Sequence, residues 1–356
     1  MPVDLKEAWI LAKKVRFFGD SIKVKSDDVQ PFAAQQMRSI LSQDALEVTS
    51  LVTPDLANNI NLVLERLSIP KKVVSAFVYS SAEPQASCFA GSITECVISF
   101  SSGLIKLLKG VELQFVIGHE IGHFLLGHNI LNSREDNESP EYLIQQRAQE
   151  ISADRLGLLA CQSLEAGVRA MMKTVSGLSD EHLRYDTKIF LEQLQSATET
   201  SLNMTELSTH PSCLMRCRAL LWFSMDHIFL YGKKRYSREA LRKLDNRIEK
   251  DMHRFVDGRI RHRIAKVKGN VVLWLTAFEM IKDGRFDQDE QTIFSHRFGG
   301  EVLKKVLSLF DGMSKNEAVE IVEIKLRHAS QELEAIMPNG YEREMTNIRR
   351  SISVKT

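Results

Sequence analysis

The sequence predicts an α+β fold that is mainly helical, with a small antiparallel sheet in a first domain and an all-helical C-terminal domain. Three observations carry that reading. Helical periodicity fills most of the chain, β-branched and aromatic runs are confined to about residues 71–100, and a strongly basic stretch at 233–268 divides two apolar-patterned regions. A chain of 356 residues corresponds to about two domains. The boundaries read from it are 1–50 for an N-terminal helical segment, 51–232 for the first domain, 233–268 for a basic helical linker and 269–356 for the C-terminal domain.

Taken in order, residues 1–18 mix Asp4, Lys6, Glu7, Lys13, Lys14 and Arg16 through apolar positions. That is an amphipathic helix, without the uninterrupted apolar core of a secretory signal. Helical patterning continues to Pro70, broken at Pro31 and Pro54. Val73 to Tyr79 and Thr94 to Phe100 read as strands, and Gly91-Ser92 between them fits an antiparallel pairing. A short helix, Gly103 to Lys109, follows. Three helical blocks come next: Val111 to about Leu131, Ser139-Pro140 to Leu164 with serine as cap and proline at the first helical position, and His210-Pro211 toward Tyr231.

Composition sets limits on function. The longest apolar stretches, near Val271 to Leu275 and Ala219 to Phe223, fall far short of the roughly 20 residues needed to cross a bilayer. Five scattered cysteines cannot make a disulfide framework for a chain of this size, so reduced thiols and a cytoplasmic location are expected. Cys213 and Cys217, four apart on a helix, read as small buried hydrophobes.

The first helical block carries His119-Glu120-Ile121-Gly122-His123. Residues four apart share a helix face, so both imidazoles can reach one ion while Glu120 leans over its open position. On the second block, Glu150 offers a third ligand, and Asp154, one turn on, can accept a hydrogen bond from the far nitrogen of a ligand histidine. Leu126 and Asn129 stand where an extended three-histidine motif needs glycine and histidine, so that arrangement is excluded. His128, five residues past His123, lies on another face of a continued helix and reads as packing or support. The set predicts one Zn2+ per chain and metal-assisted peptide hydrolysis, with Glu120 as general base.

The string Val116 to His128, then Glu150 to Asp154 followed by Arg155-Leu156-Gly157, then Thr209-His210-Pro211-Ser212 with Arg216, resembles the HtpX and CAAX-prenyl-protease type of gluzincin, metallopeptidase family forty-eight. The resemblance covers about Leu51 to Met225 and implies a zincin-like peptidase domain acting on a protein or peptide substrate. It places His210 and Arg216 beside the site as catalytic partners of an oxyanion, with His210 alternatively swinging onto the metal. It also makes Pro84 to Gly91 an edge strand that pairs with substrate through Gln85, Ala86 and Cys88, where members often carry asparagine at the position of Gln85. The membrane spans of the best-known members are missing from this sequence.

Residues 233–268 hold 14 Lys/Arg against five Asp/Glu, leaving 33 basic against 41 acidic residues elsewhere. A nucleic-acid or anionic-surface contact is one reading; a solvated helical linker is favoured, since few aromatics interleave. Farther on, Lys282 to Glu290 is similar to the Asp-Gly helix junction of TerB-like helical domains. Asp283, Asp287 and Glu290 could gather Ca2+, but the twelve-residue spacing of an EF-hand is missing, and a helix cap formed by Asp287 and Glu290 is favoured. Two alternatives to a general endopeptidase stay open: a protease with a single regulatory target, or a binding and sensing protein whose zinc is structural or latent.

Overall fold

A computed structural model describes residues 5–20, 33–92, 94–128, 139–186, 189, 192, 212–225, 238–283 and 285–353. The described residues of 1–137 and 144–257 make one unit, and those of 138–143 and 258–356 a second.

In the first unit, α1 (Lys6–Val15) buries Ala8, Trp9, Ala12 and Val15, the stripe expected of an amphipathic helix. Then come α2 (Ala33–Asp44), β1 (Leu46–Glu47) and α3 (Pro54–Arg66), the last opening on the proline that its first turn tolerates. Strands β2 (Val74–Tyr79), β3 (Ala86–Ser92) and β4 (Glu95–Ser101) follow, then α4 (Ser102–Leu107), capped by the Ser101 hydroxyl. The central helix α5 (Val111–Leu126) is buried on nearly every side. It packs among α6 (Pro140–Cys161), α7 (Leu164–Ser176) and α8 (Cys213–Ser224).

The sheet corrects the sequence expectation of a purely antiparallel arrangement. Its order is β1-β2-β4-β3, and β2 runs parallel to β4, with Val74 opposite Cys96 and Tyr79 opposite Ser101. Gly91-Ser92 does not turn the chain between those two strands; it belongs to β3, which lies outside β4 and pairs with it antiparallel. The physical reason is burial. From Cys96 to Ser101 every residue of β4 is buried, as suits a central strand with both edges paired, and this forces the intervening segment to the rim.

Part of the basic stretch completes the first unit. Helix α9 (Arg238–Met252) turns Leu241, Ile248 and Met252 inward at helical spacing, together with Asp245, and a π-helical segment, His253–Asp257, follows. Arg147 of α6 is fully buried and pairs with Asp257 at 2.6 Å, and Arg155 pairs with Asp245 at 2.5 Å.

The second unit is helical: α10 (Gly258–Ile281), α11 (Gln288–Phe298), α12 (Gly300–Ser308), α13 (Lys315–Ile336) and α14 (Tyr341–Ser353). Val267, Val271 and Leu275 of α10 meet Ala329, Leu333 and Ile336 of α13, while Phe294, Val306 and Val322 pack around Ala277 and Met280. Among the described residues, no helix is long and apolar enough to cross a membrane.

Candidate metal centre

Glycines set the distance between α5 and α6. A Cβ at Gly118 would collide with the Ala160 side chain, one at Gly122 would sit 3.1 Å from the Ala153 backbone, and one at Gly157 would sit 2.8 Å from the Phe115 carbonyl oxygen. Glycine inside a helix costs roughly 0.5–1 kcal/mol, and here the close crossing of two backbones accounts for it. The crossing carries Glu150 of α6 onto the face of α5 that holds His119 and His123.

The Nε2 atoms of His119 and His123 lie 3.1 Å apart. Glu150 Oε2 is 3.6 Å from the first and Oε1 3.4 Å from the second, so one ligand atom of each residue falls within 4.8 Å of the others. Behind each imidazole stands a partner that fixes its tautomer. His119 Nδ1 is 2.9 Å from Asp154 Oδ1, and an ionised carboxylate only accepts, so Nδ1 carries the proton and the Nε2 lone pair faces Glu150. His123 Nδ1 is 2.8 Å from His128 Nδ1, and His128 Nε2 is 3.0 Å from Asp20 Oδ2. Asp20 accepts from Nε2, leaving His128 Nδ1 to accept from His123, whose Nε2 lone pair also points inward. Two imidazole lone pairs and a carboxylate aimed at one point repel each other unless a cation lies among them. The nitrogen and oxygen donors suit a four-coordinate divalent ion such as zinc, with one position left over.

Arg216 of α8 closes the far side. Its Nε and Nη2 donate to the two oxygens of Asp154 at 2.8 and 2.6 Å, and Nη1 lies 3.2 Å from Glu150 Oε2. Burial acts to raise the Glu150 and Asp154 pKa values, but the Arg216 guanidinium and the neighbouring imidazoles hold both below the usual carboxylate range. Arg216 thus braces the ligand cluster, a placement that spacing alone does not give. Burial lowers the His128 pKa further than the Asp20 contact raises it; Asp20, despite its own burial, is held low by His128, Ser152 and Arg16.

Glu120 and Arg216 line a cleft of about 390 Å3 together with His119 and Glu150. Gln85 and Ala86 form part of its rim. Gln85 is pinned there: its N–H donates to the Ser101 hydroxyl, its carbonyl accepts from the Ser101 N–H, both at 2.9 Å, and its side-chain oxygen accepts from the Tyr79 hydroxyl at 3.2 Å. Cys88 is buried in β3 with its Sγ 3.1 Å from Cys96 Sγ. His210 lies outside the described residues.

Asp283, Asp287 and Glu290 are in the second unit. Asp287 and Glu290 form the reciprocal capping box that starts α11, and Asp283 accepts from the Arg285 N–H at 2.9 Å. Among the described residues, only His119, His123 and Glu150 bring three such ligand atoms within 4.8 Å of one another.

Sequence reasoning missed Asp20, which stands 108 residues from His128 with no spacing to mark it. It placed His128 on another face because it continued α5 past Gly127. That glycine is left-handed, with φ 74°, and ends the helix, so the chain folds His128 back toward His123.

Residues 50–136 and 139–222 match the model of peptidase family M48. The chain is similar to the plastoglobule-localized metallopeptidase 48 of Arabidopsis thaliana, with 28% identity over 173 residues, 40% of this chain and 50% of that protein. It is also similar to a protease HtpX homolog of Thermodesulfovibrio yellowstonii, with 29% identity over 79 residues, 22% of this chain and 27% of that one. The chain thus spans half the length of the first relative and about a quarter of the second. No solved structure matches it.

Proposed function

Through residues 50–136 and 139–222 the chain belongs to peptidase family M48, and from that premise we propose that it is a zinc-dependent endopeptidase whose ligands are His119, His123 and Glu150. The observation that carries the reading is the convergence of two imidazole lone pairs and one carboxylate on a point within a cleft that Glu120 also lines. A bound zinc ion would supply polarisation of the scissile carbonyl and an acidified water. Glu120 takes a proton from the attacking water and delivers it to the amide nitrogen as the C–N bond breaks. Asp154 and His128 keep the two ligand imidazoles in the tautomers that leave Nε2 unprotonated. Arg216 keeps Glu150 ionised and, from the cleft wall, adds positive charge near the developing oxyanion. His210 is a second candidate for that task.

The substrate is a protein or peptide. β3 is the outer strand of the sheet, so an extended segment can add to its free edge through main-chain hydrogen bonds and lie along the cleft past Gln85 and Ala86. Beside the centre, the wall formed by Leu104, Phe115, Val116 and Met171 favours an apolar side chain. The test is Glu120→Gln: it should keep one zinc per chain and lose proteolysis. Retained cleavage by a clean preparation would sink the mechanism, and a wild type without zinc would favour the binding-protein alternative.

A further inference from the structure

We propose that Asp20 is a positioning residue of the metal centre, acting through His128 on His123. This rests on the reading of His119, His123 and Glu150 as zinc ligands. The two ligand histidines have separate supports: His119 leans on Asp154 from α6, inside the stretch that matches the family, while the His123 path ends on a carboxylate outside it.

Asp20 is 1% exposed and His128 3%, and an ionised carboxylate at that depth is costly unless it is paired. The backbone leading to Asp20 is fastened for the purpose. The Phe17 N–H donates to Ser152 Oγ at 3.1 Å, and Arg155 Nη1 donates to the Val15 carbonyl at 2.9 Å, so two residues just past Glu150 on α6 hold this strap. The Phe18 N–H donates to Asp245 Oδ2 at 3.1 Å, while Asp245 Oδ1 takes Arg155. A final turn, Asp20 N–H to Phe17 carbonyl at 3.0 Å, aims the carboxylate at His128. Hydrogen bonds of 2.8–3.0 Å thus run from the buried Asp20 through the buried His128 to His123. Without Asp20, His128 loses what holds its proton on Nε2. It can then place that proton on Nδ1, where it faces the His123 Nδ1 proton, and His123 is driven out of its metal-binding tautomer.

The experiment measures zinc affinity by chelator competition on the full chain, for wild type, Asp20→Ala, Asp20→Asn, His128→Phe, the Asp20→Ala/His128→Phe double variant and Val15→Ala. The expected loss for Asp20→Ala is roughly 10–100-fold in zinc affinity, the range for partners that orient ligand histidines. Asp20→Asn, nearly isosteric and still able to accept through Oδ1, should fold and recover part of the loss. The double variant should be no worse than the weaker single one, because the two residues act in series. The Val15 side chain is fully buried in the apolar cluster beneath the same strap and carries no polar group, and alanine keeps the carbonyl that Arg155 holds, so Val15→Ala should lower the melting temperature and leave zinc affinity unchanged. The cobalt-substituted protein adds a spectroscopic readout: its ligand-field bands should move in Asp20→Ala and stay put in Val15→Ala. Zinc affinity and cobalt spectrum unchanged in Asp20→Asn and His128→Phe, or Val15→Ala costing as much affinity as Asp20→Ala, would overturn the proposal. A wild type that binds zinc no more tightly than His119→Ala would instead defeat the metal reading on which it rests.

Discussion

Gly118→Ala probes the close crossing of α5 and α6 on which the centre depends. The added methyl would meet the Ala160 Cβ head-on, with the Gly157 Cα at 3.1 Å and the Leu156 carbonyl oxygen at 3.2 Å. None of these atoms belongs to a side chain that can rotate away, so relief requires the two helices to separate. Overpacking of this kind costs about 1–3 kcal/mol, and the rigid surroundings argue for the upper part of that range. Alanine returns roughly 1 kcal/mol of helix propensity. The net expectation is a loss of about 1–2 kcal/mol, read by urea denaturation of the metal-free protein. Because His119 and His123 ride on α5 and Glu150 on α6, the same separation opens the ligand set. A displacement near 1 Å should lower peptidase activity by about 100-fold. Gly269→Ala serves as control, since nothing lies within 4 Å of its Cβ position inside α10, and it should gain about 0.5–1 kcal/mol. A Gly118→Ala protein with unchanged stability and unchanged zinc affinity would refute the idea that close backbone approach builds the site.

Two further outcomes follow from charge and capping. The Asp180 carboxylate is held far below its usual range, first by the hydrogen bond from Lys173 and then by Tyr185 and Arg169. Its contribution to stability is complete above the unfolded carboxylate pKa of about 4 and is lost as the pH falls below it, so Asp180→Asn should flatten the acid limb of the stability profile; an unaltered limb contradicts this. In the second unit, Asp287→Ala removes the cap of α11 and should cost about 1 kcal/mol, while added calcium leaves the wild-type melting temperature unchanged. A rise of several degrees with calcium would restore the cation reading.

The fold class was legible because long-period apolar patterns and one confined β-rich stretch are local signals. Strand direction was not: β2 and β4 are both short apolar runs, and only the burial of β4 on both faces, a property of the assembled core, makes them parallel neighbours with β3 displaced to the rim. The His119, His123 and Glu150 cluster follows from spacing on two helices, and the glycines that let those helices touch stand in the same motifs. Asp20 left no trace in any periodicity, since its partner is fixed by tertiary folding of a strap. For His128 the missed signal was local: Gly127 at the end of an apolar helix is a stop that the reading ran through. The charges of 238–252 likewise obscured Leu241, Ile248 and Met252, whose spacing is that of a helix docking on a core.

The central claim is that Glu120 activates water for peptide hydrolysis at a zinc held by His119, His123 and Glu150. The most direct measurement sets zinc-loaded wild type beside zinc-loaded Glu120→Gln in a whole-cell lysate and sequences the new protein N-termini, with metal content determined on both. One zinc per chain in each protein, and new N-termini with the wild type alone, are the expected results. Matching N-terminal patterns from the two proteins would contradict the claim.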